Sequence, residues 1–190
     1  MENPAAEAIQ PDPIYSVDDL QNEFRQGEIL SSLTQYQYVP ASEELTLTAT
    51  PYIILASQDC DLLRDYEQRS AGKAGALNQI LAFEAEVALD ALAQVQGGDI
   101  RKRIKNNKDE RYHVLEAVPA ELDLLGQGIP ALLVDFRAYI TVPPDQLSQQ
   151  CGGLTQASRR TRLLSPYREH FQARVGAYLA RIGLPRDHQV

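Results

Sequence analysis

Polar residues at the end of a buried strand are a common place for a chain to present chemistry. The segment Ala56-Ser57-Gln58-Asp59-Cys60-Asp61 directly follows the apolar run Tyr52 to Leu55. Cys60 is read there as a thiolate nucleophile or a metal ligand beside Asp61, with His113 or His170 as the base or a further ligand. Neighbouring carboxylates raise a thiol's pKa, so this setting favours a metal ligand or a structural cysteine over a cysteine hydrolase. The structural alternative is a small buried Cys60, with Asp61 capping a helical turn from Leu62 to Tyr66. Zinc takes three or four ligands. Cys60, Cys151, His113, His170 and His188 include no pair at diagnostic spacing, so metal and cofactor stay unassigned.

Arg111-Tyr112-His113 opens a strand expected over Arg111 to Glu116, where alternation sends Arg111 and His113 to one face. Such a pair would hold a phosphate, or move a proton and neutralise charge on phosphorus during RNA cleavage. Just upstream, five of the eight residues from Arg101 to Lys108 are basic. They read as an exposed loop in which Arg101, Lys102, Arg103, Lys105 and Lys108 would contact nucleic-acid phosphates, with no aromatic residue among them for base stacking. Arg162, Arg168 and His170 would extend this cationic site. Two carboxylates stand apart from these. Glu84 falls in the middle of an apolar helical stripe and needs a partner, either an arginine from the C-terminal half or a cleft. Asp135, inside Leu132-Leu133-Val134-Asp135-Phe136, shares a face with Leu133 and poses the same question. A metal-dependent enzyme centred on Cys60, Asp61 and Glu84 is a further alternative.

The elements that must position these residues follow from patterning. Residues 1–13, with three prolines, read as a loosely attached arm, and residues 14–190 as a single α+β domain. Ser16 caps a helix from Val17 to Phe24, with Asp18 and Asp19 in its first turn, and Gly27 ends it. A β region opens at Glu28, and a strand runs from Leu45 into Ile53-Ile54-Leu55-Ala56. Apolar residues at three- and four-residue spacing predict an amphipathic helix over Ala76 to Val95, closed by Gly97-Gly98. Strands are expected over Arg111 to Glu116, Ala131 to Phe136 and Ala138 to Val142, the last ended by Pro143-Pro144. A helical turn over Gln146 to Gln150 and a flexible break at Gly152-Gly153 precede Ser158 to Arg162. Ser165, Pro166, Gly183 and Pro185 bound a C-terminal helix from Pro166 to Ile182. Its apolar stripe is Tyr167, Phe171, Val175, Tyr178, Leu179 and Ile182, bordered by His170, Arg174 and Arg181.

With 190 residues, 44% of them apolar, the chain can bury one core. Its formal charge of −8 is unlike that of a protein that coats DNA. Residues 1–100 carry 4 Lys+Arg against 17 Asp+Glu, and residues 101–190 carry 14 against 9, so the halves stand at −13 and +5. RNA would therefore meet the C-terminal half and a protein partner the acidic N-terminal half, unless the two halves neutralise each other. No apolar run approaches the roughly 20 residues that span a bilayer, so no membrane partner is expected. Two isolated cysteines and no leader pattern predict a cytoplasmic protein.

Gly27-Glu28-Ile29-Leu30, the strand Tyr52-Ile53-Ile54-Leu55-Ala56-Ser57, and Leu133-Val134-Asp135-Phe136 followed by Ile140-Thr141-Val142-Pro143 together resemble the PemK/MazF-like toxin barrels. That resemblance implies a small SH3-like, mostly antiparallel β-barrel, here with an inserted amphipathic helix and a C-terminal helix. It also implies an RNA-binding or RNA-cleaving module of a bacterial toxin-like or defence-type system. The arginine-bearing loop of that family is replaced here by Thr46 to Pro51, without arginine. Ser57-Gln58-Asp59-Cys60-Asp61 with Arg162 to His170 also looks like a group of bacterial proteins of no assigned activity. The alternative function is a non-catalytic interaction or regulatory subunit of a larger bacterial complex.

Overall fold

Apolar, β-branched and aromatic residues recur in most of the runs that become strands: β1 Tyr15–Ser16, β2 Glu28–Val39, β3 Glu44–Leu55, β4 Ile80–Val87, β5 Tyr112–Leu115, β6 Leu132–Val142 and β7 Ser158–Leu163. The computed structural model describes residues 13–18, 20, 22–41, 43–152 and 157–181. The expected arm, Pro13 excepted, and the helix-end residues Ile182, Gly183 and Pro185 lie outside them. The strands form one antiparallel sheet in the order β1-β7-β2-β3-β4-β6-β5. Its ladder is open at β1 and β5, although the Tyr15 hydroxyl donates to the Glu116 carbonyl at 2.6 Å and so draws the two ends together. Among the described residues five α-helices complete an α+β fold: α1 Asp59–Ser70, α2 Ala88–Gln94, α3 Gly98–Lys105, α4 Pro144–Gly152 and α5 Tyr167–Leu179.

The sheet is buried on both faces. Ile29, Ile54, Phe83, Val134 and Phe136 pack against Phe171 and Val175 of α5, while Leu30, Ile53, Leu55, Ala82 and Val142 pack against Leu62 of α1 and Leu147 of α4. This explains the unbroken run Ile53-Ile54-Leu55, whose side chains serve two cores in turn. A smaller cluster joins Ala88 and Leu92 of α2, Ile104 of α3 and Leu133. Gly27 adopts φ +77° where β3 and β7 both crowd it, donating to the Leu55 carbonyl and accepting from the Leu163 N–H. A Cβ there would sit 3.2 Å from that of Leu163.

Several expectations need correction. The helix over Ala76 to Val95 is instead strand β4 followed by the short helix α2. A strand with apolar residues on both faces loses its period of two, and Ile80, Leu81 and Val87 of β4 then fall at helical spacing with Ala88, Ala91 and Leu92 of α2. The two strands expected over 131–136 and 138–142 are one strand, β6, whose pairing with β4 shifts register between Phe83 and Ala85. Ser16 belongs to β1, and its hydroxyl accepts from the Asp18 N–H at 2.9 Å, a local turn that competes with the expected helix. Ser158 to Arg162, which carry no expected element, lie in the interior strand β7. The basic loop is largely helix α3, and the turn at Leu62 belongs to the twelve-residue helix α1. Helix α5 has Pro166 at its N-cap without a side-chain cap bond, so Ser165 does not cap it.

Strand β7 carries two arginines that tie distant segments to the sheet. The buried Arg160 guanidinium binds both carboxylate oxygens of buried Asp123 at 2.7 Å, and also donates to Ser31 Oγ and the Gly128 carbonyl. Arg159 binds the buried Glu28 carboxylate and the carbonyls of Asn22 and Glu23 while lying 4.9 Å above the Phe24 ring. Asp123→Ala strands a buried guanidinium and is expected to cost about 3–5 kcal/mol. In urea unfolding, the double variant Asp123→Leu with Arg160→Met should recover most of that loss, because no charge is then left buried alone.

Candidate nucleic-acid interface

Helix α3 presents its cations because only one of its residues is used by the core. Gly97 at φ +94° breaks the chain away from α2, Ile104 is fully buried, and Arg101, Lys102 and Lys105 are exposed. These three line a shallow groove of about 650 Å³ with Asn106 and with Leu89, Leu92 and Ala93 of α2. Among the described residues none of the three is in an ion pair. Arg103 approaches Asp109 at 3.5 Å instead. Lys108 lines a separate cavity with Arg174 and Arg181.

Asn106 also borders a second cavity, of about 300 Å³, whose walls include Tyr15, Asn107, His113, Tyr167 and His170. It lies where edge strands β1 and β5 approach each other beneath the first turn of α5. The Asn107 side chain accepts from the Val114 N–H at 2.6 Å and donates to its carbonyl at 2.9 Å, so it continues the edge of β5. Arg174 of α5 donates to the carbonyls of Asn107, Asp109 and Tyr112. It thereby holds the whole connection from α3 to β5 against the helix.

His113 is 4% exposed, with its ring centre 5.6 Å from that of His170 and 5.3 Å from that of Phe171. Burial first, then the neighbouring Arg174 and His170, pushes its pKa down to about 3. Its Nδ1 is buried without a hydrogen-bond partner. The ring is therefore neutral near pH 7.

The expected site is brought together only in part. His113 and His170 meet, but Arg111 does not join them. Its guanidinium forms a bidentate pair with Asp135 and lies 4.4 Å from the Tyr112 ring centre. Arg111 precedes β5, so strand alternation does not govern where its side chain goes. Arg111, Asp135 and Leu133 line a separate cavity of about 370 Å³ with Glu84 and Glu86. Glu84 lies there on a strand, and no arginine pairs with it among the described residues; its contact is the Thr50 hydroxyl at 3.4 Å. Arg168 is bound to Asp59 at 2.7 Å and to Glu169. Arg162 sits in β7 opposite Glu28 and Ser16.

Cys60 and Asp61 are exposed on α1, and the thiol reaches only Gln58 Oε1, at 3.6 Å. The expectation of a small buried Cys60 is corrected with them. Among the described residues no three histidine, cysteine or carboxylate side chains gather as a metal site, so Cys60, Asp61 and Glu84 form no common centre. Cys151 is the thiol that burial, together with the Glu28 carboxylate, pushes up to about 12. Sequence reasoning missed Asn106, Asn107, Tyr15 and Tyr167. The one local signal was the Asn-Asn pair closing the basic run, since Asn107 takes the left-handed conformation that asparagine tolerates.

The buried imidazole makes stability depend on pH in a stated direction. His113 binds a proton near pH 6.5 when unfolded but only near 3 when folded. Its contribution is therefore complete above about pH 6.5 and declines as pH falls toward 3, by up to ~1.4 kcal/mol per unit. His113→Phe keeps an aromatic ring against Phe136 and Phe171, and is expected to flatten the fall in urea midpoint between pH 7 and pH 4. Identical slopes in the two proteins would refute the assignment.

Comparison of the chain with known proteins finds no matching family model, no matching curated protein and no matching solved structure.

Proposed function

We propose that the protein binds single-stranded RNA through its C-terminal half, with Arg101, Lys102 and Lys105 of α3 on the phosphates and the His113–His170 cavity beside them. The observation that carries this reading is Asn106, which lines both the groove of unpaired cations and the recess bordered by Tyr167, His113 and His170. Elsewhere Arg111, Arg159, Arg160 and Arg168 are bound to the protein's own carboxylates. Among the described residues the exposed basic side chains outside any ion pair include Arg64, Lys73 and Lys108, but only α3 groups three of them, Arg101, Lys102 and Lys105, on one groove. A two-turn helix lying along the surface is poorly shaped to enter a duplex groove, whereas a charged track beside a recess suits an unpaired strand.

Binding is favoured over cleavage by the chemistry of His113. General-base catalysis works best when the base titrates near the working pH, and an imidazole pushed down to about 3 holds a proton too weakly for that task. The resemblance to PemK/MazF-like toxin barrels supports an RNA-associated role in a bacterial toxin-like or defence-type system acting in the cytoplasm. The contact between Tyr15 and Glu116 accords with an SH3-like, nearly closed sheet.

One observation favours a second reading, a non-catalytic interaction subunit. Beyond Thr34, whose backbone N–H and C=O are held by the Gln150 side chain, and beyond Tyr52, the β2–β3 ribbon runs on with no strand paired to either outer edge. One of its faces carries Tyr36 (73% exposed), Tyr38 (56%), Leu45 (67%) and Leu47 (57%), in direct register. Such a patch is typical of a protein interface.

Fluorescence anisotropy with a labelled RNA of about twelve nucleotides tests the proposal. Replacing Arg101, Lys102 and Lys105 together by alanine is expected to weaken binding at least ~10-fold and to reduce the salt slope by about 2. The RNA should stay intact with and without EDTA. Absence of binding at ~50 mM salt, or an unchanged affinity in the triple variant, overturns the reading. Tyr36→Ser with Leu47→Ser, which leaves α3 untouched, should bind RNA as the parent does.

A further inference from the structure

We propose that the cavity between β1, β5 and α5 receives one unstacked nucleobase of the strand whose phosphates lie on α3, an inference that rests on the RNA-binding reading. Its size is the first argument. About 300 Å³ is at the lower end of small-molecule sites, with room for one planar heterocycle and little more.

Its chemistry argues for a base over the other ligands of that size. A phosphate would need cations with free donors, but Arg174, the guanidinium packed beside His113, spends its donors on the carbonyls of Asn107, Asp109 and Tyr112. Glu116 on the rim would repel an anion. A metal would need ligands beyond the two imidazoles, and among the described residues no such set exists. The lining instead includes four rings, of which Tyr15 and His113 are buried while Tyr167 is half-buried and His170 exposed, so Tyr167 and His170 are the rings left for the π-face of a base.

Polarity gives the second argument. The Nδ1 of His113 is a buried polar atom with no partner, which folded proteins rarely leave unsatisfied. A base brings exocyclic amines and ring nitrogens into the space that this imidazole lines. Because burial keeps the ring neutral, it meets a base as a hydrogen-bonding group and not as a cation.

Continuity gives the third. Asn106, which borders the cavity, directly follows Lys105 and also lines the cationic groove. A strand held by Lys102 and Lys105 therefore lies next to a residue of the cavity lining, and turning one base inward requires no second binding surface.

The test compares two labelled strands of equal length and charge, one an RNA and the other carrying abasic spacers throughout, on the full chain by anisotropy. The RNA is expected to bind at least ~10-fold tighter, in keeping with the worth of one stacked base. His170→Ala and Tyr167→Phe probe the wall: His170 is exposed, so its loss should leave the thermal midpoint in place while narrowing the RNA-to-abasic ratio to under about twofold. Tyr167→Phe, which keeps the ring, should preserve the ratio. Equal affinity for the two strands overturns the base site and leaves the α3 reading standing. A ratio unchanged in His170→Ala also overturns the site. Failure of both strands to bind overturns the RNA reading itself.

Discussion

Arg160 and Asp123 meet where almost no water reaches, and much of the architecture is arranged around that pair. Burying two charges is costly, and the attraction between them returns that cost only when geometry and extra hydrogen bonds are good. Here both guanidinium edges are used, and the carboxylate also accepts from the backbone N–H groups of Leu125 and Gln127. These contacts fix the loop 123–128 onto the sheet, aided by the Leu124 N–H donating to the Arg160 carbonyl. With that loop held, the Val118–Ile129 bridge forms and β5 is led to its place at the sheet edge. The pair thus contributes register more than net stability.

The same internal pairing explains where the protein can meet a polyanion. A basic C-terminal half does not mean a basic surface, because Glu28 holds Arg159 and Asp59 holds Arg168, each joining the acidic half to the basic one. Mutual neutralisation of the halves accounts for part of the charge asymmetry, and α3 escapes it. That helix has one buried residue and carboxylates near only one of its cations, so its remaining charges project into solvent.

Legibility differed from element to element for physical reasons. The strand ending in Ile53-Ile54-Leu55 was readable because a β-branched run tolerates few other conformations. Helix α5 was readable because Pro166 and the spacing of Phe171 and Val175 are local signals. Strand β4 was not. Its two buried faces erase the alternation that separates strand from helix, and Glu84 was consequently placed on a helix that does not exist. Arg168, a member of the expected cationic site, is instead a structural partner of Asp59, a difference set by chain segments far apart in sequence.

From the sequence alone came the α+β class, most strand positions, the charge asymmetry and the basic run at Arg101 to Lys108, because each depends on composition or on neighbours within a few residues. Only the tertiary structure decided which cations are consumed, that the sheet order is open, and that His113 meets His170 beside Asn106. Those outcomes depend on the pairing order of seven strands and on the path of α5 across them. They are fixed by packing between residues that no local pattern connects.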